Sequence, residues 1–435
     1  MERAAKSRRD ERDMISSLPD CLIHLIMSFL TAQEAVQTCV LSKRWQYLWT
    51  TLPFLDFDVR NFKCDIKSDD NEWDFDVPRI KKFEKFRDFV STTLLLRKAS
   101  DLHKLRLSCL DDGRYSLHQY HVIVKSWILY ALKHNLQVFK IGFDLEGSLP
   151  LGVFNCASLV DASLSSFISF DHVKVIDLPC LRRLFLGGTK LNQEFVEKLF
   201  SGCPMLEFLQ LEDCCKGFSA INSQSLKYLK MQCACVCDET EKKMELINAP
   251  NLLSFCYDMC PFVIGDKILL KMPLLTSACI FSDMRPSDIP YNGKGILIGL
   301  SNVQYLKLSG GGIKELLENE LLSCPEFSNL KNLSVRGFCL HHRFNLLASF
   351  LNHCPNLEKL SLCCYACSCH MTVQEYGNQE PLVIAPYKGN QLKTVEVEFS
   401  EFFKRSSDFP QFVKYLQDLT WNLSARINMS SMPFS

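Results

Sequence analysis

The chain has 435 residues, 47% of them apolar and 23% charged, a composition that excludes disorder over most of its length and suggests two or three domains. Lys plus Arg number 49 and Asp plus Glu number 49; a broad electrostatic grip on nucleic acid needs a basic excess, and none exists. No run of 18 apolar residues is present, so no helix is expected to span a membrane. The opening MERAAKSRRDERD lacks the apolar stretch of a secretory signal. The 22 cysteines are therefore expected to be reduced thiols, in the cytoplasm, the nucleus or both. Residues 1–13 read as a flexible tail whose basic residues Lys6, Arg8, Arg9 and Arg12 are diluted by acids.

Residues 14–58 form the next segment. Ser17, Pro19 and Asp20 form a helix-start signature, and the helix is expected to run to about Leu30. Thr31 and Glu34 make a capping box for a second helix, and Ser42 opens a third. The first helix is too apolar for a surface helix: Cys21, Leu22, Ile23, Leu25, Ile26, Met27, Phe29 and Leu30 cover more than one face. Three short helices bury too little surface to stand alone, so the leftover apolar face must find cover, either on this chain or on a partner. The run LPDCLIHLIMSFL–EAVQTCVLSKRWQYLW resembles an F-box, in particular the plant form with its LSKRW…LW ending. That resemblance implies docking on a Skp-family adaptor and, through it, on cullin and RING subunits of a ubiquitin ligase. Leu18, Pro19, Leu22, Ile26, Leu30, Leu41 and Trp45 would then be the adaptor-facing or F-box core residues, two roles that the sequence does not separate.

Residues 59–79 are polar and acid-rich and read as a linker. In 80–134, Ile80, Phe83, Phe86, Phe89 and Val90 recur at helical spacing, and VIVKSWILYALKH gives a second helix. This segment includes the first copy of a repeat that runs through the rest of the chain, and it is expected to cap the open end of the repeat array.

The repeated pattern is apolar-x-x-apolar-x-apolar. It starts at Leu102, Leu136, Leu159, Leu181, Leu206, Leu226, Leu252, Leu275, Val303, Leu330, Leu357 and Leu392, a mean spacing of about 26 that falls within the range of leucine-rich repeats. Pro179, Pro204, Pro250, Pro273 and Pro355 each stand two residues ahead of a start, where a residue without a backbone donor punctuates strand entry. One strand and its return cannot bury an apolar face, but stacked copies can. The expected fold class is α/β: an N-terminal three-helix F-box, then a leucine-rich-repeat solenoid over 135–365 with a curved parallel sheet and a helical or irregular outer face. Alternation sends Leu209 and Leu211 inward and Phe208, Gln210 and Glu212 to the concave face. Arg183, Phe185, Tyr228, Lys230, Tyr305, Lys307, Arg336 and Lys359 share that face with them, and it is the expected surface for an unidentified target protein.

Residues 366–420 contain a strand, QLKTVEVEFSEF, and a helix, DFPQFVKYLQDL, that together resemble the FBD module closing many plant F-box/leucine-rich-repeat proteins. The module usually continues with a further apolar strand. TWNLSARINMSSMPFS stands there instead, and 421–435 read as a mobile tail.

No catalytic motif and no cofactor site stands out. Cys233, Cys235 and Cys237 alternate, and Cys363, Cys364, Cys367, Cys369 and His370 crowd together; Cys364 and Cys367 fit one zinc pair, but Cys369 with the adjacent His370 is a poor second, so no metal is expected. Gly310-Gly311-Gly312 after a strand reads as a turn rather than a phosphate cradle. The expected function is that of a non-catalytic substrate adaptor of a cullin–RING ubiquitin ligase. The competing readings are a stand-alone repeat scaffold whose N-terminal helices cap the array, and a metalloprotein or enzyme that uses the cysteine clusters. The scaffold reading predicts that removing residues 1–58 unfolds the repeats; the adaptor reading predicts that they stay folded.

Overall fold

Each of the twelve repeat starts seeds a strand that begins two residues later. The computed structural model describes residues 18–62, 76–109, 120–142, 149–165, 170–214, 217–232, 244–258, 264–282, 295–337, 344–364, 387, 389–400, 404–405, 409–420 and 425–431. The chain divides into two units, one of residues 1–168 with 177–181, the other of 169–176 with 182–435.

The first unit opens with α1 (Asp20–Met27) and α2 (Ala32–Gln37), followed by 3-10 turns over Thr38–Val40 and Trp45–Thr51. The expected cap Ser17 lies outside the described residues, and Pro19 takes the position before α1. α1 stops at Met27, three residues earlier than expected. The capping box of α2 is formed as read: the Thr31 hydroxyl accepts the Glu34 N–H, and the Glu34 carboxylate accepts the Thr31 N–H at 2.8 Å. The segment expected as a third helix is a 3-10 run. Ile23, Met27, Ala35, Trp45 and Leu52 form the core of this small bundle, with Leu18, Leu30, Leu48, Trp49 and Phe54 packed around it.

Strand β1 (Phe54–Asp58) follows directly and pairs in parallel with β2 (Lys104–Ser108), which pairs with β3 (Val138–Gly142), then β4 (Asp161–Ser165). LPFLDFD, read as the tail of the F-box, thus supplies a sheet strand, with Leu55 and Phe57 buried beside Leu105 and Leu107. A cut after residue 58 removes that strand, so it does not separate the scaffold and adaptor readings cleanly. Between β1 and β2 runs α3 (Asp76–Leu96), and α4 (His121–Leu132) precedes β3. Phe83, Phe86 and Val90 of α3 are buried; Phe86 meets Trp127 of α4 edge-on at 6.0 Å, and the Trp127 indole N–H donates to the Ser91 hydroxyl at 3.2 Å.

In the second unit, β5 (Arg183–Gly187), α5 (Gln193–Gly202) and β6 (Phe208–Glu212) lead to three short return strands, β7 (Ala220–Asn222), β9 (Met244–Asn248) and β11 (Ile264–Lys271), interleaved with the repeat strands β8 (Tyr228–Gln232), β10 (Ser254–Asp258) and β12 (Ser277–Phe281). The return strands form a second parallel sheet in the order β11-β9-β7, where a helical or irregular outer face was expected. Next come α6 (Ile296–Gly299), β13 (Tyr305–Ser309), α7 (Ile313–Glu320), β14 (Asn332–Arg336), α8 (Phe344–Leu351), β15 (Lys359–Cys364), β16 (Thr394–Phe399), α9 (Phe409–Thr420) and β17 (Arg426–Ser431). From β5 onward the repeat strands pair in parallel and in register. β17 falls in the segment read as a mobile tail; its main chain completes the pairing of β16, although its side chains are largely exposed.

The alternation is that expected of the repeats. Leu184, Leu186, Leu209, Leu211, Leu306, Leu308, Leu333, Val335, Leu360 and Leu362 are all buried, each side chain contributing about 1.5–3 kcal/mol on leaving water. Cys214 follows β6 in the buried turn: its thiol donates to the carbonyls of Leu186 (3.3 Å) and Glu212 (3.1 Å), so it serves the turn's backbone. The triple glycine is a turn. Gly310 has φ +103°, and a Cβ there would sit 2.1 Å from the Ser282 carbonyl oxygen of the preceding repeat.

Candidate functional site

Two surfaces stand out, one in each unit. On α1 the apolar residues divide. Ile23 and Met27 point inward and are 0% exposed, whereas Leu22 and Ile26 are each 44% exposed, Leu25 is exposed and Phe29 is 82% exposed. Val40, at 83%, and Leu41 add a second exposed apolar group after α2. Pro19 is exposed at the start of α1. Of the residues singled out from sequence, Trp45 is core, at 2% exposed, and Leu18 and Leu30 are half-buried against the same cluster. Pro19, Leu22, Ile26 and Leu41 remain on the surface. Leu25, Phe29 and Val40 belong with them, although none was selected from sequence as a site residue; for Leu25 and Phe29 the signal was the surplus of apolar residues around α1.

The far edge of this small bundle is fixed to the rest of its unit. The Thr50 carbonyl accepts the N–H groups of Lys98 (2.9 Å) and Ala99 (3.3 Å), and the Arg97 guanidinium donates to the Leu52 carbonyl at 3.0 Å. An Asp20–Arg44 ion pair ties α1 to the turn before Trp45. The apolar face is therefore held by anchored neighbours, and none of the described residues of its own unit covers it.

In the second unit the register sets the open strand face in rows. Arg183, Phe208 and Tyr228 stand side by side in the first row, with the Phe208 and Tyr228 rings 6.2 Å apart. Tyr305 and Lys359 lie farther along that row, two strands apart. The next row runs Phe185, Gln210, Lys230, Cys256, Cys279, Lys307. Arg336 stands one row on, at the end of β14. Lys359 is not a free cation: its ammonium is 2.7 Å from Glu396, whose carboxyl it holds below the usual carboxylate range. Glu207 and Glu358 are likewise lowered, by hydrogen bonds from Lys227 and Lys393. Such exposed pairs fix side-chain positions more than they stabilise the fold. The arrangement offers aromatic and basic contacts along the open strand face.

Among the described residues no group of three or more His, Cys, Asp or Glu side chains could hold a metal ion. The cysteine clusters weighed for zinc lie outside them, apart from Cys363, buried in β15, and Cys364 at its end. No helix among the described residues is long and apolar enough to cross a membrane.

Comparison with known proteins gives matches to both parts of the chain. Residues 15–57 match the F-box domain family, and residues 124–267 match the family described as "FBD-associated F-box protein At5g56370, LRR repeats". The chain is 31% identical to F-box/LRR-repeat protein At4g14103 of Arabidopsis thaliana over 372 residues, 80% of this chain and 91% of that one. It is 28% identical to F-box protein At3g59000 of the same plant, over 93% of this chain and 84% of the relative. F-box/LRR-repeat protein 13, also from Arabidopsis thaliana, is 26% identical over 81% and 76% of the two chains.

Proposed function

The chain belongs to the F-box/leucine-rich-repeat family, and from that premise we propose that it is a substrate-recognition adaptor of a cullin–RING ubiquitin ligase. Its F-box helices dock on a Skp-family adaptor, and its repeat strands capture a target protein. The observation that carries this reading is the division of α1: two side chains wholly buried, and at least four apolar neighbours left open to solvent on a well-anchored support. A hydrophobic face of that kind marks a partner site. Pro19, Leu22, Leu25, Ile26, Phe29, Val40 and Leu41 form the docking surface, while Trp45, Leu18 and Leu30 hold it in shape from beneath.

The row Arg183, Phe208, Tyr228 and the row Phe185, Gln210, Lys230 make up the part of the target surface where aromatic and basic side chains lie closest together. Tyr305, Lys307, Arg336 and Lys359 extend it along later strands. The chain itself supplies no catalytic group in this scheme. Holding the target beside a ubiquitin-charged enzyme raises their mutual effective concentration toward the millimolar range expected for short tethers, and that proximity is the whole of its contribution to the reaction.

A pull-down with purified Skp-family protein tests the reading. The full chain should retain the adaptor, and a Pro19→Ala, Ile26→Ala double variant should lose it. Failure of the unaltered chain to bind, with its circular dichroism showing it folded, contradicts the proposal.

A further inference from the structure

Within the open face of the repeat sheet, one row places two thiols side by side. Cys256 on β10 and Cys279 on β12 are direct partners in the parallel register, with Lys230 of β8 the next residue along on one side and Lys307 of β13 on the other. Both cysteines are partly exposed on the outward face. The neighbouring rows add Asp258, Tyr228 and Tyr305 as titratable groups. Cys214, by contrast, is buried and bonded to backbone carbonyls, as a structural thiol should be. Nothing about the fold requires thiols at the two outward positions.

We propose that Cys256 and Cys279 are a redox modification site, at which a hydroperoxide oxidises the pair to a disulfide that staples two neighbouring repeats across the open face. In-register residues of adjacent parallel strands lie about 4.8 Å apart, inside the Cα separation that a disulfide spans. The same spacing is slightly wide for the two Cβ atoms, which makes the bond strained and readily returned to the dithiol by a glutathione-type thiol.

The electrostatics assign the roles. The hydrogen bond from Cys256 and the charges of Lys307 and Lys230 outweigh burial and bring the Cys279 thiol down to about 7. The Cys256 thiol is pushed up, first by its bond to Cys279 and then by burial. The pair thus gives up one proton readily and holds the other. The Cys279 thiolate attacks the peroxide, the O–O bond breaks, and water or an alcohol leaves after taking up a proton. Cys279 is then a sulfenic acid and no longer negative, so Cys256 is released from the charge that kept it protonated. Its sulfur attacks the Cys279 sulfur; the S–S bond forms, the S–O bond breaks, and water leaves with the Cys256 proton. Two thiols and one hydroperoxide become one disulfide, one water and one alcohol (or two waters from hydrogen peroxide), with two electrons passing to the peroxide.

The test uses the full chain, fully reduced, with limiting hydrogen peroxide and peptide mapping by mass spectrometry. The Cys256–Cys279 linked peptide, two hydrogens lighter than the dithiol, should accumulate ahead of modification at the exposed cysteines Cys21 and Cys180. Cys256→Ser should stop at a Cys279 sulfenic acid that a cyclic dione traps. Alkylation of Cys279 by iodoacetamide should reach half its maximal rate near pH 7, against about 8.5 for an ordinary thiol. At pH 7 the larger thiolate fraction (about 15-fold) is partly offset by lower intrinsic nucleophilicity, leaving Cys279 about 3-fold faster than an ordinary thiol. Lys230→Gln with Lys307→Gln should move the half-rate pH upward. A Cys279 profile that matches an ordinary thiol, or oxidation of Cys279 that never yields the linked peptide, overturns the proposal.

Discussion

The division of α1 permits a paired experiment on adjacent turns of one helix. Leu22 and Ile26 are each 44% exposed, whereas Ile23 and Met27 are 0% exposed. Complete burial of a large aliphatic side chain contributes about 1.5–3 kcal/mol. Covering the open 44% of each outward residue therefore contributes about 0.7–1.3 kcal/mol, and the pair about 1.3–2.6 kcal/mol. Leu22→Ala with Ile26→Ala should weaken binding to a Skp-family protein by about 10- to 80-fold. The same double variant should shift folding stability by less than about 1 kcal/mol, because surface truncations seldom do more. Ile23→Ala should do the reverse: truncation in the core costs about 2–5 kcal/mol of stability while leaving the docking side chains in place in the folded fraction. Calorimetric titration with the adaptor, run beside thermal unfolding of each variant, measures both quantities. Binding by the outward variant within about 3-fold of the unaltered chain refutes the reasoning, as does a fall in its unfolding temperature as large as that of Ile23→Ala.

Three further outcomes are expected from the fold. Gly310→Ala combines a left-handed backbone with a Cβ placed 2.1 Å from the Ser282 oxygen; it should cost at least about 1–3 kcal/mol, read as a lower unfolding temperature. The buried Glu320 carboxylate accepts the N–H groups of Ile296 (3.1 Å) and Leu297 (2.7 Å) in the preceding repeat. Glu320→Ala strips both donors of their partner and should cost about 2–5 kcal/mol, with the amides of 296–297 losing hydrogen-exchange protection first. Burial pushes the Asp58 carboxyl up, but hydrogen bonds from Arg60 and the charges of Arg60 and Arg106 outweigh it and hold it below the usual carboxylate range. A carboxyl lowered on folding stabilises at pH values above its unfolded pKa of about 3.9, and that stability is lost as pH falls from there through the lower folded pKa. Urea unfolding of Asp58→Asn between about pH 3 and 7 should thus show a deficit that shrinks below about pH 4; a constant deficit contradicts the assignment.

The repeat strands were legible because their signal is periodic and redundant. Each of the twelve starts, from Leu102 to Leu392, leads a strand, and weak copies such as LVDASL were carried by the frame of the strong ones. β1 escaped because the 21-residue helix α3 separates it from the next strand, so no repeat spacing points back to it. β17 escaped for the opposite reason: only Ile427 and Met429 alternate in it, and its place is set by main-chain pairing with β16. The return strands β7, β9 and β11 lie between the repeat starts, outside the frame that marks the repeat strands. In the F-box, the surplus of apolar residues was readable, but the division into core and docking face was not. Leu18, Leu22, Leu30 and Trp45 belong to the same pattern, and only the packing of Trp45 and Leu52 on Ile23 and Met27 separates them. The thiol pair illustrates a signal present but unused: Cys256 and Cys279 stand four residues after Leu252 and Leu275, at the same step of consecutive repeats, yet 23 residues apart in sequence hides the adjacency until the register is drawn.

The central claim is that the exposed apolar side chains of the N-terminal helices are covered by a Skp-family protein. Hydrogen exchange of the full chain with and without that protein reads the footprint directly. The account predicts slowed exchange over residues 20–30 and 38–48, with the strands of the second unit unchanged. Unaltered exchange across both segments at saturating adaptor, or protection confined to the repeat strands, would contradict it.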